Sequence, residues 1–169
     1  MNKKRKYKIL IIRFSSIGDI VLTTPVVRCL KKQLNAEIHY LTKQSFSAIL
    51  EPNPYIDRVL TIQKKTAEIL PELKKEQYDY VVDLHKNLRS LQVKKALKAK
   101  IFSFDKINFE KWLMVNFKIN KLPKKHIVDR CFDAVKELGI QNDGEGLNWF
   151  LPKQKTGMSN SQFSILNSQ

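Results

Sequence analysis

The sequence holds few cysteines and few glycines, and both shortages narrow the kinds of site it can form. Its two cysteines, Cys29 and Cys131, lie far apart in apolar, helix-like stretches with no CxxC pair, so we expect two buried, reduced thiols. The three histidines, His39, His85 and His126, show no metal-ligand spacing among themselves or with the cysteines, which argues against a zinc site. The five glycines form neither a GxGxxG dinucleotide fingerprint nor a P-loop.

Long apolar runs are also missing. No stretch approaches the roughly 18 consecutive apolar residues of a membrane-spanning helix. The basic start, Met1–Lys8, has the charge of a signal peptide, but the apolar run after it is short, breaks at Arg13 and leads to no small-residue cleavage site. We therefore predict a cytoplasmic protein whose lysines suit peripheral contact with the anionic cytosolic face of the inner membrane.

Acidic residues are scarce beside basic ones: 16 Asp and Glu stand against 31 Lys and Arg, a formal net charge of +15. Such an excess predicts an anionic partner, which is a nucleic acid, a phosphorylated lipid or an acidic sugar. Charge alone does not choose among these three. The length of 169 residues, with 43% hydrophobic residues, suits one globular domain with a proper core.

Apolar, β-branched runs alternate with helical patterns from the start of the chain to Phe104. The predicted strands are Lys8–Phe14, Glu37–Thr42, Arg58–Ile62, Tyr78–Leu84 and Lys100–Phe104. The predicted helices are one capped by Thr24 with Pro25 at its first position, a short one at Ser45–Leu50, Thr66–Gln77 with Pro71 near its first turns or at a kink, and Leu88–Lys98. This alternation predicts an α/β fold with a parallel sheet and right-handed crossovers.

Beyond Phe104 the pattern changes. We predict a helix in the aromatic stretch Phe109–Phe117, a basic loop at Lys118–Lys125, and an amphipathic helix at Ile127–Leu138 that ends at Gly139. Lys153–Gln169 is polar and rich in Ser, Asn and Gln, as linkers and disordered tails are. We therefore predict one domain over residues 1–150, with residues 151–169 as a linker or tail towards a second domain that is absent from the chain.

The segment R-F-S-S-I-G-D, Arg13–Asp19, joins the first predicted strand to the first predicted helix. Ligands of open parallel sheets bind beyond the carboxyl ends of the strands, where this segment lies. Ser15 and Ser16 offer hydroxyls, and Gly18 permits a tight turn or close approach of a substrate. Asp19 offers a carboxylate that a helix N-terminus keeps ionised, able to accept a proton from an attacking sugar hydroxyl. The alternative is a local role, in which Asp19 caps the helix and the serines close the turn.

The segment D-L-H-K-N-L-R-S begins at Asp83, after the fourth predicted strand and at the same edge of the sheet. Lys86 and Arg89 suit the anionic groups of an acceptor, and His85 and Asn87 suit its hydroxyls. Asp83 suits a capping role in the turn. A solvated polar loop with a capped helix explains the same residues equally well.

A third patch, K-I-N-K-L-P-K-K-H-I-V-D-R, runs from Lys118 to Arg130 around a proline loop and a helix start. As a whole it predicts a positive rim that steers and orients an anionic acceptor. Taken singly, its lysines are explained by solubility, and Asp129 and Arg130 by a surface ion pair on the helix.

The run I-L-I-I-R-F-S-S-I-G-D-I-V-L-T-T-P, Ile9–Pro25, resembles the opening of glycosyltransferase family 9, the ADP-heptose:lipopolysaccharide heptosyltransferases. The resemblance is carried by an apolar strand, a basic residue, two small hydroxyl residues, any residue, Gly-Asp, an apolar pair and a later proline. It extends in patches to about residue 150. Arg13 stands where the family often has lysine, and it keeps the charge while adding a bidentate fork for carboxylate or phosphate.

Two further patches resemble the same family more weakly. After the fourth strand the family commonly has Asp, a polar residue, Gly and later Arg/Lys-Ser. This chain keeps Asp83, Arg89 and Ser90 but has Lys86 in place of the glycine, a departure that bears on loop geometry and acceptor choice. The family's His-x-Val-Asp/Glu-Arg is matched by His126, Val128, Asp129 and Arg130.

The resemblance implies two Rossmann-like domains in a GT-B arrangement, facing each other across a cleft. The N-terminal domain holds the lipopolysaccharide-core acceptor, and the C-terminal domain holds the nucleotide-sugar donor, ADP-heptose. It implies inversion of the anomeric centre without a metal or other cofactor, and it makes Asp19 the general base. Together with the loop chemistry, it gives the predicted substrate-binding residues: Arg13, Ser15, Ser16, Gly18, His85, Lys86, Asn87, Arg89 and Arg130.

Glycosyl transfer is therefore the leading prediction, with this chain as the acceptor-side half. A basic nucleic-acid-binding module also fits the charge, although no RNA-recognition, zinc-finger or helix-turn-helix signature accompanies it. A noncatalytic fragment that binds a partner domain is a third possibility, and it fits the apolar segment Trp112–Phe117 and the polar tail.

Overall fold

The structure is a computed structural model that describes residues 6–103 and 126–150. Three predicted segments lie outside these residues: the helix at Phe109–Phe117, the basic loop at Lys118–Lys125 and the tail at Lys153–Gln169. The predicted division at residue 150 is likewise untested by the described part of the chain and stays a prediction.

Five parallel strands form one sheet, which confirms the predicted α/β, Rossmann-like fold. The spatial order is β3-β2-β1-β4-β5, so the first strand of the chain lies at the centre. The strands are β1 Tyr7–Ile12, β2 Ala36–Lys43, β3 Arg58–Ile62, β4 Tyr80–Asp83 and β5 Lys100–Ser103.

The described helices are α1 Ile17–Val21, α2 Thr24–Leu34, α3 Ser47–Leu50, α4 Leu70–Lys75, α5 Leu88–Ala96 and α6 Ile127–Val135. Short 3-10 turns lie at Gln44–Phe46, Thr66–Glu68 and Lys136–Leu138. None of these helices has the length and apolar character needed to cross a bilayer.

Several helix boundaries differ from the sequence prediction by a few residues, and two of these differences have a clear cause. The N-cap of α2 is Thr23, not Thr24, because Thr24 is already helical and its hydroxyl donates to the carbonyl of Val21 at 2.7 Å. The helix predicted from Thr66 is divided, because a 3-10 turn comes first and α4 starts only at Leu70, with Pro71 in its first turn.

The sheet is buried on both sides, as the continuous apolar runs of its central strands predict. On one face Ile9, Ile11 and Tyr40 pack with residues of α2, α3 and α6. On the other face Leu10 and Ile12 pack with residues of α4 and α5. Cys29 and Cys131 are both buried free thiols, as predicted.

The connections that follow the two central strands leave the sheet in opposite directions. The chain after β1 and β2 packs its helices on the first face, whereas the chain after β3 and β4 packs its helices on the second. A crevice therefore opens between β1 and β4 at the carboxyl edge, at the topological switch point where open α/β sheets bind their ligands. Both loops singled out in the sequence begin at this point.

At the opposite, amino edge of the sheet, His39 is 3% exposed and uses both ring nitrogens. Its Nδ1 lies 2.8 Å from the hydroxyl of Tyr78, and its Nε2 lies 3.1 Å from a carboxylate oxygen of Glu37. A neutral imidazole fits this arrangement, with Nε2–H donating to Glu37. Burial lowers the pKa of His39, and the hydrogen bond to Glu37 offsets only part of that effect.

Because the folded-state pKa of His39 lies below the ordinary 6.5, the unfolded chain takes up the proton first as pH falls. We therefore expect the free energy of unfolding to decrease as pH is lowered from about 7.5 to about 5.5, and His39→Gln to flatten this slope. Urea titrations across this range measure the effect. His126→Gln, at the exposed start of α6, is the matched control, and an equal flattening by that variant would contradict the assignment.

The buried guanidinium of Arg28, on α2, holds the segment after α6 against the domain. Arg28 is fully buried, and its Nε and Nη2 lie 2.8 and 2.5 Å from the two carboxylate oxygens of Asp143. It also donates to the carbonyl of Gly146 and to the side-chain oxygen of Asn148. We call this set the Arg28 clasp. The guanidinium lowers the pKa of Asp143, so the pair is ionised at neutral pH.

Candidate functional site

The loops that follow β1 and β4 meet at the carboxyl edge of the sheet. The guanidinium of Arg13 donates through Nη1 to the carbonyl of Leu84. The rings of Phe14 and His85 make an edge-to-face contact with centroids 5.4 Å apart. The structure thus brings together the two polar loops that the sequence separates by about 70 residues.

Asp19 lies in the first turn of α1, a short helix that the sequence analysis treated as part of a loop. Its Oδ2 accepts hydrogen bonds from the backbone N–H of Ser16 at 3.2 Å and from the Ser16 hydroxyl at 3.1 Å. The Nη2 of Arg13 lies 2.6 Å from the same oxygen. The local capping role considered for Asp19 is therefore present, and an ion pair with Arg13 is added to it.

The Asp19 side chain is nevertheless 35% exposed. Within residues 6–103 and 126–150, its hydrogen bonds all go to Oδ2, and none goes to Oδ1. Partial burial acts to raise the pKa of Asp19, but the backbone hydrogen bond from Ser16 and the hydrogen bond and charge of Arg13 outweigh it and lower the pKa. The carboxylate is thus ionised at neutral pH and partly exposed, and its hydrogen bonds from the described residues all go to one oxygen.

Arg13 is only 9% exposed and is engaged on three sides. Besides Leu84 and Asp19, its Nε donates to the carbonyl of Ser15 at 2.8 Å. These contacts fix the guanidinium against Asp19 and join the two loops. Its predicted part in binding an acceptor anion stays a prediction, and what the described contacts support is the positioning of the Asp19 carboxylate.

The glycine at position 18 allowed two explanations from the sequence, a tight turn or close approach of a substrate. Its φ is not positive, so the backbone turn itself does not require glycine. No atom lies within 4 Å of the place a Cβ would occupy, so the space beside Asp19 is open. A Cβ would fit here without a clash, so the described residues do not themselves require glycine, and close approach of a substrate at Gly18 stays a prediction. Ser15 and Ser16 serve the same short turn through the contacts described above.

In the second loop, Asp83 organises the backbone. Its carboxylate is fully buried and accepts from the backbone N–H groups of His85 at 3.0 Å and Lys86 at 2.7 Å. It also accepts from the Ser90 hydroxyl and from Nζ of Lys94, each at 2.8 Å. Burial acts to raise the pKa of Asp83, but these hydrogen bonds together lower it. The capping role proposed for Asp83 from the sequence is confirmed by these contacts.

Asn87 also has a structural role, since its side-chain oxygen accepts from the backbone N–H of Ser90 at 2.8 Å as the N-cap of α5. Lys86 has a φ of 49°, in the left-handed region where glycine is favoured. The loop at Lys86 therefore has a backbone conformation that a glycine would adopt freely. Acceptor binding by His85, Lys86, Asn87 and Arg89 stays a prediction.

A basic hollow beside this loop was missed by the sequence analysis. Lys64 and Lys65 follow the end of β3, and with Arg89 they line a hollow of about 310 Å³. Thr66 and Gln92 line it as well, and the Thr66 hydroxyl donates to the Gln92 side chain. The signal was the pair of lysines directly after a predicted strand, at the edge where ligands bind.

The start of α6 lies close to the first loop. His126 caps α6, with its Nδ1 accepting from the backbone N–H of Val128 at 3.3 Å. Burial raises the pKa of the Cys131 thiol to about 11, and the charges of Arg13, Arg130 and Asp19 all act on that thiol as well. Arg130 directly precedes Cys131 on α6, and its part in acceptor binding stays a prediction, while the basic loop before His126 lies outside the described residues.

No cluster of three or more His, Cys, Asp or Glu side chains suited to a metal ion occurs among residues 6–103 and 126–150. The predicted independence from metal stays a prediction.

No protein-family model matches the chain. Over 122 residues, however, the chain is 34% identical to lipopolysaccharide heptosyltransferase 1 of Campylobacter coli, and the alignment covers 68% of this chain and 36% of that protein. The chain therefore spans about a third of the length of this curated relative.

Solved structures of the same family share the fold. The glycosyl transferase family 9 protein of Veillonella parvula superposes with a TM-score of 0.68 at 23% identity, covering 89% of this chain and 47% of that one. E. coli heptosyltransferase WaaC with ADP gives 0.65 at 17% identity, covering 83% and 50%. The same enzyme with ADP-2-deoxy-2-fluoro heptose gives 0.64 at 18% identity, covering 82% and 50%.

The curated relative and these folds agree with the motif at Ile9–Pro25, which places its Gly-Asp step at the switch point of the sheet. The chain belongs to glycosyltransferase family 9, the heptosyltransferase family.

Proposed function

We propose that this chain forms the acceptor side of an inverting, metal-independent heptosyltransferase that acts in lipopolysaccharide-core assembly, with Asp19 as its general base. The observation that carries the proposal is the partly exposed, ionised Asp19 carboxylate at the topological switch point, whose hydrogen bonds from the described residues go to one oxygen only. The similarity to a lipopolysaccharide heptosyltransferase supports the substrate class.

In the proposed reaction, an acceptor hydroxyl lies against Oδ1 of Asp19. Its oxygen attacks the anomeric carbon of the donor sugar on the face opposite the nucleotide. The bond from that carbon to the diphosphate oxygen breaks, ADP leaves with the electron pair, and the hydroxyl proton passes to Asp19. A carboxylate of lowered pKa is a weak base, but the attacking hydroxyl becomes strongly acidic as its new bond forms, so the transfer is favourable when it occurs late.

Acceptor anions would be held by cations around the crevice. Arg89, with Lys64 and Lys65 across the hollow, offers three positive charges at the carboxyl edge, and the exposed Lys86 adds a fourth. Arg130, in the first turns of α6, would add a further positive charge. Such groups orient an acceptor bearing phosphates and acidic sugars more than they choose among anions.

The donor would be ADP-heptose, as suggested by the ADP and ADP-sugar of the heptosyltransferase structures with the same fold. We propose that it binds mainly to a second domain, across the crevice from the acceptor side that this chain forms. A cytoplasmic enzyme in peripheral contact with the inner membrane would meet both the soluble donor and the lipid-anchored acceptor.

The complete gene product tests this proposal. We expect it to transfer heptose from ADP-heptose to a lipopolysaccharide-core acceptor, to give a product whose anomeric configuration is opposite to that of the donor, and to keep its rate in excess EDTA. Mass spectrometry and the one-bond C–H coupling of the new anomeric centre measure transfer and stereochemistry.

Retention of configuration, or loss of activity in EDTA that added Mg²⁺ restores, would contradict the proposed mechanism. A salt-sensitive affinity for DNA of any sequence, with no affinity for acidic glycolipid, would instead support the nucleic-acid-binding alternative.

A further inference from the structure

The outer face of α5 exposes leucines where helices on a protein surface usually carry polar groups. Leu88 is 79% exposed and Leu91 is 40% exposed. Lys95 lies on the same side, at the spacing of two helical turns from Leu88. The inward side of the helix is already filled by Ser90 and Val93, both fully buried. The leucines therefore take no part in the core.

The chain around this face carries one sign of charge. Residues Leu84–Ser103 contain six Lys or Arg and no Asp or Glu. Arg89, Lys95 and Lys98 are exposed, and none of the ion pairs formed within the described residues involves their side chains. Glu68, exposed in the 3-10 turn beside α5, subtracts one charge from the surroundings.

The groove between α4 and α5 adds further apolar and basic side chains to this surface. It forms an open hollow of about 520 Å³ with an apolar floor and a basic rim. Its lining includes Leu73, Ala96, Leu97 and Ala99, with Lys74 and Lys98 at the side. Exposed apolar surface thus runs from the start of α5 to its end, beside cations that form no ion pair with other residues in the described part of the chain.

We propose that the outer face of α5, defined by Leu88, Arg89, Leu91, Lys95 and Lys98, docks on an anionic lipid bilayer. The leucines enter the headgroup boundary, and the cations meet the lipid phosphates. Nucleic acid would bind the cations but would leave the leucines exposed to water. A second copy of the chain would be repelled, because each copy has a net charge of +15.

This inference rests on the proposed function, because a transferase that acts on a lipid-anchored acceptor needs a surface that contacts the membrane. Asn87, the N-cap of α5, belongs to the loop at the carboxyl edge of the sheet. A bilayer against α5 would therefore lie beside the crevice that holds Asp19. A lipid-anchored acceptor would then reach the carboxylate with its sugar, without leaving the membrane.

Co-sedimentation of the 169-residue chain with vesicles tests the surface, without donor or acceptor. The vesicles contain phosphatidylcholine with phosphatidylglycerol, or phosphatidylcholine alone. We expect binding only to the anionic vesicles. Lys95→Gln should weaken it about fivefold, and Leu88→Gln/Leu91→Gln about tenfold or more at unchanged charge. Lys136→Gln, which removes an exposed lysine at the end of α6 on the other face of the sheet, should change it less than about twofold.

Equal losses for Lys95→Gln and Lys136→Gln would overturn the proposal, since binding would then follow total charge. So would full binding by the double leucine variant, or a dimer of the parent chain that this variant dissociates. Unchanged thermal unfolding of the variants excludes misfolding as the cause of a loss, because the altered side chains are exposed. Failure of the proposed transfer reaction leaves vesicle binding unchanged, so the two proposals are tested apart.

Discussion

Replacing Asp19 by Asn is expected to lower the transfer rate of the complete gene product by roughly 10²- to 10⁴-fold, equivalent to about 3–5 kcal/mol of activation free energy. The amide keeps the size of the carboxylate and its ability to accept a hydrogen bond from Ser16. It removes the negative charge that Arg13 holds in place and the basic oxygen that takes the proton. Single-turnover kinetics with saturating acceptor measure this loss directly.

Acceptor affinity should change little in the same variant, because Asp19 acts on the proton and the cations around the crevice hold the acceptor. Calorimetric titration of acceptor into the variant separates binding from chemistry. Since the pKa of Asp19 lies below its ordinary 3.8, the parent enzyme should keep its rate down to about pH 5.

Glu137→Gln is the matched control for this substitution, because it makes the same carboxylate-to-amide change in a residue whose side chain is 74% exposed. Its rate should equal that of the parent. If Asp19→Asn retains more than about a tenth of the parent rate while folding normally, another group accepts the proton and the assignment of the base is wrong.

Breaking the Arg28 clasp is expected to cause the largest loss of stability. Asp143→Ala leaves the fully buried guanidinium of Arg28 without the carboxylate that holds it by two contacts. Removing one member of a buried ion pair costs about 3–5 kcal/mol, and we expect about 2–4 kcal/mol here because Asp143 is itself 20% exposed. The melting temperature should fall by roughly 4–16 °C.

The double variant Arg28→Met/Asp143→Ala should be more stable than Asp143→Ala alone, because it removes a buried charge whose remaining carboxylate partner is the exposed Glu145 at 3.4 Å, and leaves an apolar side chain in its place. Glu137→Ala, which breaks the exposed pair with Lys100, should have little effect. Hydrogen exchange at the amide of Asn148, which donates to Thr24, reports on the local release of the segment. A loss below about 1 kcal/mol for Asp143→Ala would show that the guanidinium is rehydrated without cost.

Local patterns in the sequence were sufficient to predict the sheet. The runs Lys8–Phe14 and Tyr78–Leu84 are apolar and β-branched, and such runs form buried strands largely whatever their surroundings. The stop at Gly139, which caps the 3-10 turn that follows α6, was equally local, since its φ of 73° is one that glycine adopts freely. The meeting of the two polar loops followed from parallel strands, whose carboxyl ends share one edge.

Features that depend on contacts between residues far apart in the sequence could not be predicted from local patterns. Arg28 sits in an amphipathic helix and looks like a surface residue, since its partners lie about 115 residues further along the chain. The burial of Arg13 has a similar cause, because its partner Leu84 comes from another strand's loop. The short helix α1 was missed because five residues that include a glycine carry too weak a local preference to predict.

The central place of β1 in the sheet has a consequence for synthesis on the ribosome. Of the five described strands β1 is made first, yet it pairs on one side with β2, at Ile9 to Ile38, and on the other with β4, at Ile9 to Tyr80. At elongation rates of about 5–20 residues per second, its second edge waits several seconds for a partner. During that interval the nascent chain exposes one of its most apolar segments, which makes it a natural client for a ribosome-associated chaperone.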